Sequence, residues 1–291
     1  MTVEPFKTSF ESAPSNGDAY APADIARRVE TVGVAKATRA TLPTLVLATL
    51  AGAFIALGAL FYVAVMTGST LGFGPTRLLG GIAFSLGLIL VIVGGAELFT
   101  GNNLLAMAWA SRLVTFRQVF RNWALVYLGN AVGAFGTVVL VWLAGIHHFG
   151  NGSVQETLIA IGRHKTALDP ISLLALGILC NALVCLAVWL AFAGRSVVDK
   201  TLAIIFPIAA FVTVGAEHSI ANLFFLPYAM ALDPANIGLA AVATNIALVT
   251  VGNILGGTLL VAAVYWLAYR PDTRPRSDTA RATVHPTPEA P

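Results

Sequence analysis

The chain has 291 residues, of which 57% are hydrophobic and 11% charged, and its formal net charge is +3. Soluble globular domains carry roughly a quarter charged residues, so a soluble fold could not hide this much apolar surface. The small positive excess is scattered among loops and leaves no nucleic-acid footprint.

In chain order, the first forty residues are polar, carry acids and contain no apolar core of a cleaved signal peptide. Residues 1–20 are rich in Ser, Pro and charge and read as a disordered tail. Pro22–Ala40 places Ile25, Val29, Val32 and Ala35 apart from Arg27, Arg28, Lys36 and Arg39, the pattern of a short amphipathic helix lying along the cytoplasmic face. Residues 1–40 therefore form an N-terminal segment, 41–269 the membrane domain, and 270–291 a second disordered tail.

Within 41–269 the charges are segregated. None occurs in Thr41–Thr76, Leu78–Ala96, Pro170–Gly194, Thr201–Ala216 or Pro234–Tyr269, and Asn122–Gly162 holds only Glu156. Runs of about 20 apolar residues suffice to cross a bilayer as a helix, which predicts an all-α membrane protein of six spans. Cys180 and Cys185 lie five apart in the fourth span and read as small core residues.

Orientation follows from the basic loops. Fourteen of the seventeen Lys and Arg fall on one side, in the N-terminal segment, the second and fourth loops and the tail, while Arg77, Arg163 and Lys165 lie on the other. Both termini are thus expected in the cytoplasm.

The two halves repeat. Gly95-Ala96-Glu97 with Asn102 recurs 120 positions later as Gly215-Ala216-Glu217 with Asn222, and Gly129-Asn130-Ala131-Val132-Gly133 recurs as Gly252-Asn253-Ile254-Leu255-Gly256. Two halves of three spans each must be inverted relative to one another, with the functional site near the midplane. Both Gly-Ala-Glu runs interrupt apolar sequence, so spans two and five are expected to break there and line a pore.

Only Glu97, Glu217 and His218 are readily ionisable inside the predicted membrane region, and such groups mark pathways or relays. His218 is the sharpest candidate because its proton can come and go near neutral pH. Glu97 and Glu217 fit a structural role, accepting bonds from freed amides, and Asn102 and Asn222 either cap the breaks or meet substrate. Thr100 is a candidate substrate contact. Asn181 either lines the pore or bridges helices, and Lys165 stands in an outer loop. A metalloprotease-type enzyme would need a second histidine four residues after His218, where Asn222 stands. No metal or cofactor is called for, and the paired Asn-Pro-Ala signature of water channels is absent.

Gly80–Leu88, Gly95–Asn102, Gly194-Arg195-Ser196 with Asp199-Lys200, the run Gly215-Ala216-Glu217-His218-Ser219-Ile220-Ala221-Asn222, and Val251–Gly257 together resemble the formate/nitrite transporter family over about residues 20–270. The resemblance implies an aquaporin-like protomer in a homopentamer, conducting small weak-acid anions together with protons. It makes His218 the central pore histidine, Thr100 the threonine of the span-two loop and Lys165 a vestibule lysine. Leu88 and Phe211 become the periplasmic constriction, Leu98 and Phe99 the cytoplasmic one, and Asn181 and Asn253 polar pore positions. The N-terminal region and the Gly80–Leu90 run lean towards formate. Met230–Gly238 is shorter than in that branch and Glu97–Gly101 resembles the nitrite branch, so nitrite or hydrosulfide is the alternative cargo.

Overall fold

The computed structural model describes residues 18–269, so residues 1–17 and 270–291 lie outside the described residues, while Tyr20, at the end of the expected N-terminal tail, donates its amide to Ala193 O at 3.0 Å and is held in place. Eleven α-helical segments are described: α1 (Pro22–Thr38), α2 (Thr41–Met66), α3 (Phe73–Gly94), α4 (Leu105–Ala110), α5 (Phe116–Leu143), α6 (Ser153–Thr166), α7 (Pro170–Ala193), α8 (Val197–Thr213), α9 (Ser219–Leu232), α10 (Leu239–Leu255) and α11 (Val264–Tyr269). A π-helical stretch, Gly256–Ala263, joins the last two into one rod.

Local chemistry sets several of these boundaries. Thr115 and Gln118 close a reciprocal capping box at the start of α5, and Ser196 and Asp199 do the same for α8. Asp169 accepts the amides of Ile171 and Ser172 at the start of α7, where Pro170 occupies the first helical position.

Five stretches, Thr41–Met66, Phe73–Gly94, Phe116–Leu143, Pro170–Ala193 and Leu239–Tyr269, are long and apolar enough to cross a membrane by length and composition. Their surfaces are inside out. Leu128, Phe135 and Leu140 of α5 are 57%, 57% and 66% exposed, whereas Asn122 and Asn130 of the same helix are buried. Only an apolar solvent makes that arrangement favourable, so this is a membrane protein.

Packing repeats between the halves. α2 lies against α3 and α5, as α7 lies against α8 and α10; α1 covers α4 as α6 covers α9; and α3 and α8 meet at the centre. Glycines permit the closest approaches. A Cβ on Gly133 would stand 1.9 Å from the Thr49 carbonyl oxygen of α2, and one on Gly256 would stand 2.2 Å from the Ile178 carbonyl oxygen of α7. α1 turns out differently from its expected wheel. Its buried face is Ile25, Ala26, Val29, Gly33 and Ala37, with Ala35 exposed, and Lys36 and Arg39 point inward because a buried carboxylate, Glu97, awaits them.

Gly133→Leu should therefore force α2 and α5 apart, at a cost at or above the upper end of the ~1–3 kcal/mol typical of overpacking. Thermal unfolding of the detergent-solubilised protein should show a clear loss for Gly133→Leu and none for Gly136→Ala, whose Cβ would meet nothing within 4 Å. Equal melting of both variants would contradict the packing.

Candidate functional site

The site is built where the chain leaves the helix twice. After α3, Gly95 adopts φ +78° and the Ala96 amide bonds back to the Val91 carbonyl at 2.9 Å; after α8, Gly215 adopts φ +79° and the Ala216 amide bonds back to Phe211 at 2.9 Å. A side chain in that left-handed conformation would be strained, which is why glycine stands at both turns.

The segments that follow carry backbone groups no helix satisfies, and the same side chains satisfy them in each half. The Glu97 amide donates to Leu47 O and the Glu217 amide to Leu176 O, each at 3.2 Å. Asn130 accepts from the Phe99 amide and donates to Ala48 O and Glu97 O. Asn253 accepts from the Ser219 amide and donates to Gly177 O and Glu217 O. Asn102 bridges Glu97 to Asn122 as Asn222 bridges Glu217 to Asn245. Asn122 and Asn245 then donate to Lys36 O and Lys165 O, at 3.2 and 2.9 Å. Asn253 is thus a strut that lines neither cavity, contrary to its pathway assignment.

Two cavities open beside these segments, and they share no lining residue. The α1 cavity, about 300 Å³, is lined by Lys36, Arg39, Glu97, Asn102, Leu88, Leu98 and Val188 among others. The α6 cavity, about 360 Å³, is lined by Lys165, Glu217, Asn222, His218, Phe84, Phe211, Phe225 and Tyr62 among others. Lys165 pairs with Glu217 at 2.8 Å, and Lys36 reaches Asn102 at 2.7 Å and Glu97 at 3.4 Å, while Arg39 takes the other Glu97 oxygen at 2.5 Å. Burial pushes the Lys36 ammonium below the usual lysine range, and Glu97 opposes that shift.

One polar contact joins the two breaks directly among the described residues. His218 caps the N-terminus of α9, its Nδ1 accepting from the Ala221 amide at 3.1 Å. The ring proton is thereby assigned to Nε2, which faces Thr100 Oγ1 at 3.0 Å. Both residues are almost wholly buried. Phe211 stacks on the imidazole, with centroids 6.0 Å apart and an 18° interplanar angle, and Phe84 meets Phe211 edge-on.

Several residues sit elsewhere than the sequence implied. Leu88 lines the α1 cavity with Leu98, whereas Phe211 lines the α6 cavity, where Phe84, one turn earlier on the same face of α3, meets it edge-on. Phe99 lines neither cavity, because its ring is packed edge-on against Trp123 and Tyr127. Asn181 lies off both cavities and bridges elements, donating to Asn253 O at 2.6 Å and Thr100 O at 3.3 Å. Lys165 is in the last turn of α6 and not in a loop. Lys36 and Arg39 were missed. A signal for Lys36 existed: Gly33-x-x-Lys36 recurs as Gly162-x-x-Lys165, and the two glycines face the Cβ atoms of Ala108 and Ala229.

An all-helical chain, apolar outside, with buried polar groups around two facing-in cavities has the build of a membrane channel or carrier. The chain matches the model of the formate/nitrite transporter family over residues 23–267 and belongs to that family. It is 41% identical over 271 residues to the formate channel FocA of Escherichia coli (strain K12), covering 87% of this chain and 95% of that protein. Among solved structures it is similar to a pentameric formate channel with formate bound, at TM-score 0.73 and 38% identity over 79% of this chain and 97% of that one. An ion channel of the same family matches at TM-score 0.77 and 28% identity, over 84% and 98% of the two chains. These relatives are channels, not enzymes.

If Asn253 is the strut described, Asn253→Ala leaves the Ser219 amide and the Glu217 carbonyl unpaired in a buried site, while Gly177 O keeps its helical partner within α7. At about 1–3 kcal/mol for each orphan, the two together should cost about 2–6 kcal/mol and lower the unfolding temperature strongly, as should Asn130→Ala. A melting curve unchanged from wild type for either would sink the assignment.

Proposed function

We propose that the protein carries formate across the cytoplasmic membrane with a proton, through a path within each protomer of a homopentamer. The carrying observation is the buried Thr100–His218 pair: His218 lines the α6 cavity, and Leu98 and Gly101 on either side of Thr100 line the α1 cavity. The similarity to a pentameric formate channel with formate bound supports both the cargo and the assembly.

In this reading six spans cross the bilayer: α2; α3 continued by Gly95–Leu104 and α4; α5; α7; α8 continued by Val214–His218 and α9; and α10 through α11. Spans two and five are broken, and the halves are inverted. The repeated bonding of Asn130 and Asn253 supports this, because the same strut serves a break in each half. The basic loops support cytoplasmic termini and an α1 cavity that opens on the cytoplasmic side. Residues 41–269 form the transport domain.

A bare carboxylate passing Leu88 and Leu98, or Phe84 and Phe211, loses its water at a cost of several kcal/mol even after relaxation. A neutral acid meets a far smaller barrier. Lys165 and Lys36 draw the anion into the two cavities, and the hydrogen-bonded pair meets it at the narrows. A proton from the bulk solution, relayed through water as hydronium, protonates Nδ1 as it lets go of the Ala221 amide; Nε2–H then passes to the carboxylate oxygen and leaves a neutral imidazole, which returns to its first tautomer through water. HCOO⁻ and one proton cross as HCOOH, and the product ionises again on the far side.

Nitrite and hydrosulfide are small monovalent anions of weak acids and satisfy the same physics. Proteoliposome flux of formate, nitrite and hydrosulfide side by side separates the cargoes, and formate is expected to lead; transport of none would refute the function. In the same assay, His218→Asn keeps a polar group of similar reach but cannot exchange protons. Uptake driven by an inward proton gradient should fall by about an order of magnitude or more, with correct folding and assembly checked by gel filtration. Full proton-driven uptake by that variant would make His218 structural.

A further inference from the structure

The two cavities share one architecture but differ in charge. Four cations line the α1 cavity, Arg28, Lys36, Arg39 and Lys200, against the single carboxylate of Glu97. Arg77 and Lys165 line the α6 cavity against Glu217, and Arg77 is spent on the carbonyls of Val212 and Thr213. The α1 cavity thus holds an excess of three positive charges where a monovalent anion needs one.

Within the cavity lining, Glu97 is the carboxylate that opposes these cations. Glu97 is shared by Lys36 and Arg39. Among the described residues, Arg28 and Lys200 make no ion pair; Arg28 lies over the Tyr20 ring at 4.0 Å, which leaves its N–H edge free to bind. Asp199, beside Lys200 in sequence, is committed to the amides of Arg195 and Ser196. At about 300 Å³ the cavity is far roomier than formate requires. Guanidinium forks and ammonium groups together suit tetrahedral oxyanions, which accept from several directions.

We propose that the α1 cavity binds a multivalent oxyanion of the phosphate type, which is held there without being transported and competes with the monovalent cargo. The discrimination rests on the transport reading above and follows from proton counting. One proton turns formate into a neutral acid, whereas one proton on a dianion leaves a monoanion that still cannot shed its water at Leu88 and Leu98. An anion drawn in by four cations and unable to leave through the narrows acts as a plug, and from one face only.

The test uses the full-length assembly in a planar bilayer at low ionic strength, with a pH gradient driving formate. Flux is followed by the acidification it causes, and sulfate, whose double charge does not vary with pH, is added to one face at a time. Sulfate on the α1 face should inhibit formate flux with a half-effective concentration at least tenfold lower than on the α6 face. In Arg28→Gln/Lys200→Gln, inhibition taken as the ratio of treated to untreated flux should need at least tenfold more sulfate, so any change in basal flux cancels. Calorimetric titration of the solubilised wild-type assembly with sulfate and with inorganic phosphate should show binding that the double variant weakens. Equal inhibition from both faces, inhibition indifferent to the double variant, or formate flux with no sulfate binding would overturn the proposal. Absence of formate flux would instead overturn the transport reading, and sulfate binding could still be scored by calorimetry.

Discussion

The constraint behind this structure is that backbone polar groups released from a helix inside an apolar protein must find partners there. Leaving one unpaired costs on the order of 1–3 kcal/mol, and each half releases several at once after Gly95 and Gly215. One asparagine per half, Asn130 or Asn253, absorbs two of them, and one carboxylate per half, Glu97 or Glu217, anchors the next asparagine and a lysine. The glycines at α2–α5 and α7–α10 serve the same end. They bring the helices close enough for an asparagine on α5 to reach Ala48 O, and one on α10 to reach Gly177 O.

A repeated scaffold carries chemistry that is not repeated. At the offset of 120 residues, Phe99 corresponds to Ser219, and both amides are held by the strut asparagine. By the same offset His218 corresponds to Leu98, and Thr100 to Ile220. Each half thus supplies one polar member and one apolar member at the centre, and the two polar ones find each other across the interface of the halves. The lysines do repeat, Lys36 and Lys165, but Arg39 has Leu168 at the matching place three residues on. That single difference leaves Lys165, among the described residues, as sole cationic partner of Glu217, while Glu97 is shared by two cations.

Much of this was legible in the sequence because short-range spacing encodes it. The recurrence of Gly-Ala-Glu and of Gly-Asn-x-x-Gly located the turns and the close helix contacts, and the isolation of His218 marked the centre, but the strut role of Asn130 and Asn253 was not legible from it. What was not legible depends on which way a side chain faces across helices far apart in sequence. Leu88 and Phe84 are one turn apart on α3, and nothing in their spacing says which looks towards which cavity. Leu98 and Phe99 are neighbours outside any regular helix, so no periodicity separates the cavity wall from the ring buried against Trp123 and Tyr127. Lys36 and Arg39 looked like the solvated face of an amphipathic helix, because their partner Glu97 is 58 or more residues away.

The central claim is that the anion and its proton cross together, so net charge does not move through the apolar narrows. Proteoliposomes in which a potassium gradient and an ionophore set the membrane potential, while the pH gradient is varied independently, test it most directly. Initial formate flux should follow the pH gradient and stay the same when the potential is reversed. Flux that tracks the potential and ignores the pH gradient would mean that the bare anion crosses, and the account given to Thr100, His218 and the apolar narrows would be wrong.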